Sequence, residues 1–205
     1  MELFLAPLLA YIMGSIPTAL WTGKVFHNID IRELGSGNAG ATNTIRVLGL
    51  KWGIPVLLFD IAKGFAATQL STWLPMELPE ALIHQRILLG ALCVLGHVFP
   101  IFAKFKGGKG VASALGVIIG LHLMAALCTL GIFIVIFTIS RIVSLSSILA
   151  AVSYPIWLIV AFNQNDRIFA IFALIFSGLI IVTHRGNIKR LINGDEKKLS
   201  FRSSK

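Results

Sequence analysis

Long apolar runs alternate with shorter polar segments along the chain. Six runs are largely without charge and approach or exceed the ~20 residues that a helix needs to cross about 30 Å of hydrocarbon. They cover residues 3–23, 53–74, 87–103, 111–140, 143–162 and 168–183. This pattern predicts membrane-spanning α-helices rather than a soluble core.

Composition supports the same class of protein. Of the 205 residues, 56% are hydrophobic and only 13% are charged, and the mean hydropathy is +0.85. These values are typical of an integral membrane protein. A formal net charge of +9 would suggest nucleic acid as the partner of a soluble protein, but here we interpret it through membrane orientation and expect no nucleic-acid partner.

The distribution of basic residues predicts the topology. Lysine and arginine gather in residues 24–51, 104–109 and 185–205, and such segments usually face the cytoplasm. The segments near 75–86 and 163–167 carry few basic residues. Because the second and third basic segments should lie on the same side, run 111–140 is predicted to be two spans that turn near residues 120–122. The result is an all-α polytopic protein with seven transmembrane helices, its N-terminus outside and its C-terminus cytoplasmic, folded as one domain over residues 1–205.

The first polar segment contains the stretch GSGNAGATN, residues 35–43. It includes a G-x-G-x-x-G spacing, but a loop between two membrane helices has no room for the βαβ unit that a dinucleotide site requires. Glycines still allow backbone N–H groups to surround an anion. We expect Thr42 and Asn43 to cap a short helix that runs through Arg46 and points its positive end at that anion. An ordinary Gly/Asn turn is the alternative.

A second glycine-rich segment, FKGGKG, occupies residues 105–110. It does not match the Walker A motif, so no nucleoside triphosphate is implied. Lys106 and Lys109 would supply point charges and the glycines would supply backbone donors to a phosphate. The alternative is a plain cytoplasmic loop whose lysines only orient the protein.

The remaining polar residues lie in or next to the apolar runs. His184 and Asn187 are three residues apart, hence on one helical face, although a single histidine there is more often an interfacial residue. Asp60 and Lys63 lie in an apolar run and form either a structural ion pair or part of a site. His97 is a further polar residue at the end of another run.

The polar segments together resemble the bacterial acyl-phosphate:glycerol-3-phosphate acyltransferases, the PlsY family, over nearly the whole chain. The resemblance rests on GSIPTA, ELGSGNAGATN-x-x-R, D-x-x-K-G, GHVFPIFAKFKGGKGVAS and HRGNIKRLINGDE, which start at residues 14, 33, 60, 96 and 184. It implies seven membrane helices in the bacterial inner membrane, with the active site facing the cytoplasm. The implied reaction transfers a fatty acyl group from acyl phosphate to the 1-hydroxyl of glycerol 3-phosphate, giving lysophosphatidate and phosphate, the first acylation of phospholipid synthesis.

The resemblance also implies the site residues, with Glu196 in a structural role. The implied catalytic residues are Ser36, Arg46, Lys109, His184 and Asn187. The implied substrate-binding residues are Gly37, Asn38, Gly40, Thr42, Asn43, Lys63, His97, Lys106, Gly107, Gly108, Gly110 and Ser144. We expect the two substrates and membrane lipids as partners, with no cofactor and no metal.

Three alternatives concern the chemistry. The proton acceptor is either His184 or a substrate phosphate, and we favour the phosphate, with His184 as a positioning group. A covalent acyl intermediate on Ser36 is disfavoured because no acid or base is evident beside it. A transporter for a phosphorylated solute is the rival function, but its sites usually lie within inverted repeats, and no repeat is visible in the sequence.

Overall fold

The computed structural model describes residues 2–74 and 79–199. Every regular element within these ranges is helical. The chain divides into two compact units, the first ending at Leu121 and the second starting at His122. The expectation of one acyltransferase domain remains a prediction.

The first unit contains six α-helices and short 3₁₀ turns that include Ile31–Glu33 and Ile101–Ala103. Its α-helices are α1 (Glu2–Ser15), α2 (Thr18–His27), α3 (Ala41–Leu48), α4 (Leu50–Gln69), α5 (Pro79–Val98) and α6 (Val111–Leu121). Helix α4 is its centre, since it packs against α3, α5 and α6, while α1 packs along α5. Small residues such as Ala10, Ala67 and Cys93 are fully buried between these helices.

The second unit contains the remaining four α-helices. They are α7 (Leu123–Ser140), α8 (Val143–Ile156), α9 (Arg167–Thr183) and α10 (Arg185–Ile192). Helix α8 packs against both α7 and α9 and continues into a π-helical turn, Trp157–Ala161. On α9, the rings of Phe169, Phe172 and Phe176 are buried.

The helices have the length and composition of a membrane protein. In the part of the chain that the structure describes, four segments are long and apolar enough to cross a bilayer, namely Leu50–Trp73, Ala81–Ala103, Leu123–Ser140 and Val143–Ala161. Two bent pairs, α1 with α2 and α9 with α10, raise the number to six if each pair is counted as one span. The prediction of an all-helical membrane protein is therefore confirmed at this level. The count of seven spans and their orientation remain predictions.

The first apolar run, predicted as a single span, contains two helices that meet at an angle. Helix α1 stops at Ser15, α2 starts at Thr18, and their axes differ by 46°. The cause is local, because Pro17 has no N–H to donate and restricts the preceding Ile16 to non-helical conformations. At the break, the Ile16 carbonyl accepts a hydrogen bond from the Thr18 N–H at 3.1 Å.

Run 111–140 contains two helices, as expected, while the crossing of the membrane by both remains a prediction. Helix α6 ends at Leu121 and α7 begins at Leu123. His122 between them has an extended backbone, and its Nδ1 accepts a hydrogen bond from the Ala125 N–H at 3.1 Å, which caps α7.

The third run begins earlier than the sequence predicted. Helix α5 starts at Pro79 rather than near residue 87, so most of the expected loop at 75–86 is helical. Residues 75–78 of that loop, including Glu77, lie outside the described residues. Much of the basic C-terminal tail, from residue 200 onward, also lies outside them.

Candidate active site

The sequence-predicted site residues fall into two groups. Those of the two glycine-rich segments, together with Lys63 and His97, belong to the first unit, whereas Ser144, His184 and Asn187 belong to the second. Each group is described in turn.

Asn43 organises the first glycine-rich segment. Its side-chain amide donates to the carbonyls of Ile31 and Leu34 at 2.8 and 3.1 Å, and its Oδ1 accepts from the N–H and the hydroxyl of Ser36 at 2.7 and 3.1 Å. An asparagine side chain offers two donors and one oxygen with two lone pairs, so its hydrogen-bonding capacity is used. Asn43 is also fully buried. These contacts hold Ser36 in place at the exposed end of the loop, and the binding of substrate by Asn43 itself stays a prediction.

The prediction that Thr42 and Asn43 cap α3 is wrong. The helix starts at Ala41, its N-cap is Gly40, and no side chain caps it, so Thr42 and Asn43 lie within the first turn. Within the described residues, no hydrogen bond uses the N–H groups of residues 38–42. Unused donors at the positive end of a helix are groups that can bind an anion.

Arg46 lies on the same helix and is half-buried. In residues 2–74 and 79–199 its guanidinium forms no hydrogen bond or ion pair. A half-buried guanidinium without a protein carboxylate is a suitable group to receive a phosphate. The first segment thus offers backbone donors and a cation on one short helix.

The second glycine-rich segment has a different backbone arrangement. The N–H groups of residues 105–108 donate in turn to the carbonyls of Pro100, Ala103, Val98 and His97, at 2.9 to 3.2 Å. Four consecutive backbone donors are therefore already used, and the expected phosphate cradle at Gly107 and Gly108 is not formed by them. The lysine side chains remain candidates, with Lys106 exposed and Lys109 half-buried.

Gly108 brings the two glycine-rich segments together. A Cβ at this position would overlap the His97 ring at Nε2 and lie 2.9 Å from the carbonyl oxygen of Ala39. Only glycine permits this close approach. The backbone of the second segment therefore lies directly against that of the first.

A buried polar cluster lies beside Gly108. Lys63 Nζ lies 2.8 Å from Asp60 Oδ1, and both side chains are at most 3% exposed. Asp60 Oδ1 also accepts from the Thr18 hydroxyl at 3.0 Å and lies 3.8 Å from His97 Nδ1. The structural ion pair, one of the two alternatives for Asp60 and Lys63, is therefore what the structure contains.

A half-buried ion pair joins two loops of the first unit. Arg32 binds both carboxylate oxygens of Asp30, from Nε at 2.9 Å and from Nη2 at 2.6 Å, and its Nη1 donates to the Ala103 carbonyl at 3.3 Å. Asp30 also caps the 3₁₀ turn by accepting from the Arg32 N–H. The hydrogen bonds from Arg32 lower the pKa of Asp30 to about 2. This pair ties the first loop to the start of the second.

In the second unit, Glu196 accepts hydrogen bonds from two of the predicted residues, Ser144 and Asn187. Its carboxylate accepts from the Ser144 hydroxyl at 2.7 Å, the Asn187 amide at 2.5 Å and Arg190 Nε at 2.6 Å. Burial opposes ionisation of Glu196, but these three hydrogen bonds outweigh it and hold its pKa below the usual value. The structural role expected for Glu196 agrees with these contacts. Ser144 donates to Glu196, and its expected contact with substrate stays a prediction.

His184 lies at the junction between α9 and α10, where the axis turns by 62°. Its side chain is 2% exposed, and Nδ1 lies 2.7 Å from the Ile180 carbonyl. Because a carbonyl can only accept, Nδ1 carries the proton in the neutral ring and Nε2 carries the lone pair. Asn187 is also buried, whereas Arg185 and Lys189 are exposed.

Within the described residues, no three His, Cys, Asp or Glu side chains lie close enough to share a metal ion. A family model described as glycerol-3-phosphate acyltransferase matches residues 4–194. The chain belongs to the glycerol-3-phosphate acyltransferase family. A member from Listeria monocytogenes serovar 1/2a is 42% identical over 98% of both chains, and one from Chlorobaculum tepidum is 44% identical over 94% of both.

Two solved structures of this acyltransferase family resemble the whole chain. Both are crystal structures of PlsY (YgiH), an integral membrane glycerol 3-phosphate acyltransferase, and both are 37% identical to the chain. The glycerol 3-phosphate form has a TM-score of 0.87 and covers 97% of this chain and 96% of its own. The lysophosphatidic acid form has a TM-score of 0.84, with 98% and 96% covered.

Several residues that build the acyltransferase site were not found from the sequence. Thr18 and Ser113 bond the buried cluster, and Asp30 with Arg32 joins the loops. The Asp-x-Arg spacing was a usable signal, because two opposite charges two residues apart in a turn often pair. Nothing local distinguishes Thr18 or Ser113 from other helix-start hydroxyls.

The Asp30 pair predicts how the stability of this acyltransferase depends on pH. A carboxylate whose pKa is lowered in the folded state contributes stability above its unfolded value of about 3.9, and that contribution is lost as pH falls through about 2. We expect Asp30→Asn to cost roughly 1.5 kcal/mol. The difference from wild type should be constant from about pH 5 to 8 and shrink below about pH 4.

Thermal unfolding in detergent across this pH range measures the effect. Asp195→Asn is the matched control, since Asp195 is an exposed carboxylate outside the loops of the first unit. An Asp30→Asn deficit that grows towards low pH would contradict the assignment.

Proposed function

We propose that the chain transfers a fatty acyl group from acyl phosphate to the 1-hydroxyl of glycerol 3-phosphate. The hydroxyl oxygen attacks the acyl carbonyl carbon, a new ester C–O bond forms, and the bond between that carbon and the phosphate oxygen breaks. Phosphate leaves with the electron pair, and the hydroxyl proton passes to a base. The products are lysophosphatidate and inorganic phosphate.

The observation that carries this proposal is the full-length likeness to PlsY, whose solved forms contain glycerol 3-phosphate and lysophosphatidic acid. The first unit supports it independently. It presents unused N–H donors at the start of α3 and the cation Arg46 on the same helix. Such donors suit a small phosphorylated substrate.

The two glycine-rich segments have different roles in the proposed site. Ser36, Asn38 and the N-terminus of α3 contact the substrates together with Arg46. Lys106 and Lys109 add positive charge, which stabilises charge that develops on the phosphates as the anhydride bond breaks. The backbone of Gly107, Gly108 and Gly110 acts as the support on which those lysines are carried.

His184 and Asn187 position the acceptor hydroxyl in this proposal. The neutral His184 ring has its lone pair on Nε2, which suits a hydrogen bond from a hydroxyl group. Acyl phosphate is an activated mixed anhydride, so a strong protein base is not required. A substrate phosphate with a second pKa near 6 is a sufficient proton acceptor.

The membrane placement is part of the same proposal. We place seven spans in the bacterial inner membrane, with α6 as a short seventh span, the N-terminus outside, and both glycine-rich segments facing the cytoplasm. The distribution of lysine and arginine supports this orientation. Acyl chains then enter the protein from the lipid layer, while glycerol 3-phosphate arrives from the cytoplasm.

The first prediction of the proposed function concerns the acyl donor. Purified protein in detergent should form lysophosphatidate from glycerol 3-phosphate and acyl phosphate, but not from acyl-CoA or acyl carrier protein. The physical reason is that a thioester is a poorer electrophile, and none of the five histidines is followed by an aspartate five residues later to act as a base.

Inorganic phosphate should be released only when glycerol 3-phosphate is present. Efficient turnover with acyl-CoA would contradict the donor assignment. Uptake of glycerol 3-phosphate into vesicles without ester formation would instead favour the transporter.

The second prediction concerns His184. We expect His184→Ala to lower kcat/KM by ~10- to 100-fold, the loss of one substrate hydrogen bond in a buried site. His184→Asn, which keeps a hydrogen-bonding group of similar reach, should recover part of the loss. His122→Ala is the control, because His122 caps α7 and takes no part in the proposed chemistry. An asparagine variant no better than alanine would identify histidine as the base.

The third prediction concerns orientation. In a variant without Cys93 and Cys128, a cysteine at Asn165 should react with a membrane-impermeant thiol reagent in intact cells. Cysteines at Lys106 and at Ser204, which lies outside the described residues, should react only after the inner face is opened. Labelling of residue 204 from outside would overturn the seven-span topology.

A further inference from the structure

Asp60 and Lys63 lie near the middle of the apolar segment Leu50–Trp73. At 1.5 Å per residue, they are roughly 15 to 20 Å along the helix from Leu50. Charged side chains at this depth are costly and need a partner or a function. The pair neutralises itself, but its remaining contacts show what else it holds.

One set of contacts closes the break between α1 and α2. Lys63 Nζ donates to the Ile16 carbonyl at 3.0 Å, which also accepts from the Thr18 N–H at 3.1 Å. Thr18, the first residue of α2, donates to Asp60 at 3.0 Å. The ion pair therefore satisfies polar groups on both sides of the break.

The other set reaches the helices that flank the second glycine-rich segment. His97 is the penultimate residue of α5 and Ser113 the third residue of α6. His97 Nδ1 lies 3.1 Å from the Ser113 hydroxyl and 3.8 Å from Asp60 Oδ1. The imidazole is thus hydrogen-bonded to the start of α6 and lies in contact with the carboxylate on α4, without a hydrogen bond to it.

His97 also contacts the segment of residues 105–110, through both its backbone and its ring. Its backbone carbonyl accepts the Gly108 N–H at 3.2 Å, and its ring occupies the space next to the Gly108 Cα. On the other side of Gly108 lies the Ala39 carbonyl. A continuous series of contacts runs from the ion pair through His97 and Gly108 to the first glycine-rich segment.

We propose that Asp60 and Lys63 are positioning residues that act through His97 to hold residues 105–110 against residues 36–40. They set the geometry of the glycerol 3-phosphate site without touching substrate, and the proposal rests on the function proposed above. Lys63, which the family resemblance suggested as a substrate-binding residue, is assigned a different role because its ammonium group is bonded to Asp60 and Ile16.

The test must avoid leaving a buried charge unpaired. Asp60→Asn alone strands the Lys63 ammonium, which destabilises a protein strongly, whereas the neutral double variant D60N/K63M removes both charges at similar volume. We expect D60N/K63M to fold, to raise KM for glycerol 3-phosphate at least ~10-fold, and to change kcat less than ~3-fold. Thr68→Val, a buried substitution on the same helix, should leave both constants unchanged.

A double-mutant cycle distinguishes positioning from direct binding. If the pair acts through His97, D60N/K63M should raise KM much less when His97 is already replaced by glutamine. Equal effects in the two backgrounds, or an unchanged KM in D60N/K63M, would overturn the proposal. Wild type is assayed alongside, so a failure of the proposed reaction is seen separately.

Amide hydrogen exchange gives a readout that needs no activity. The N–H groups of Gly107 and Gly108 should exchange at least ~10-fold faster in D60N/K63M than in wild type, while amides of α4 near residues 54–58 keep their protection. Unchanged exchange at Gly107 and Gly108 would contradict the positioning role even if the chain has another function.

Discussion

Polar groups in the middle of a bilayer must find partners within the protein, and the ion pair between Asp60 and Lys63 is where this constraint is met in the first unit. The 2.8 Å contact allows two charges to remain in an apolar helix. It also satisfies the backbone exposed where Pro17 interrupts the first apolar run. The break between α1 and α2 contacts this pair directly, and the end of α5 and the start of α6 contact it through His97.

The same requirement distinguishes the two glycine-rich segments. Both look like phosphate loops in the sequence, because both combine glycines with cations. In residues 105–108 the backbone donors bond to the chain's own carbonyls, which is why we propose this segment as a support. At the start of α3 the donors are unused by the described residues and Arg46 lies within two turns of them. In the proposed site the anion therefore binds at the first segment.

Patterns of apolar residues predicted most of the helices, because membrane insertion depends on local composition. The division near residue 121 also followed from the sequence, since charge distribution and helix length both required it. His184 and Asn187 are both buried, but His184 lies at the junction before α10 and Asn187 within that helix, so the expected single helical face is not what the structure contains. Pro17 is a signal in the sequence for the bend between α1 and α2, but the prediction of a single first span did not take it into account.

Other features depend on contacts between residues distant in the chain and had no local signal. Asn43 looked like a capping or binding residue, and only the positions of Ile31, Leu34 and Ser36 show that its amide is fully used. The early start of α5 was missed because the polar residues His84 and Arg86 interrupt its pattern. A list of site residues also does not reveal contacts inside the protein, such as those of Lys63 with Asp60 and Ile16.

The central claim is that the start of α3 receives the phosphate of glycerol 3-phosphate and the buried pair does not. A structure of this chain with glycerol 3-phosphate bound tests it most directly, through the distances from the phosphate oxygens to nearby nitrogens. The account predicts hydrogen-bond distances of about 2.7 to 3.2 Å to backbone nitrogens of residues 38–42 and to the Arg46 guanidinium. A phosphate bonded to Lys63, or to the backbone nitrogens of residues 105–108, would contradict it.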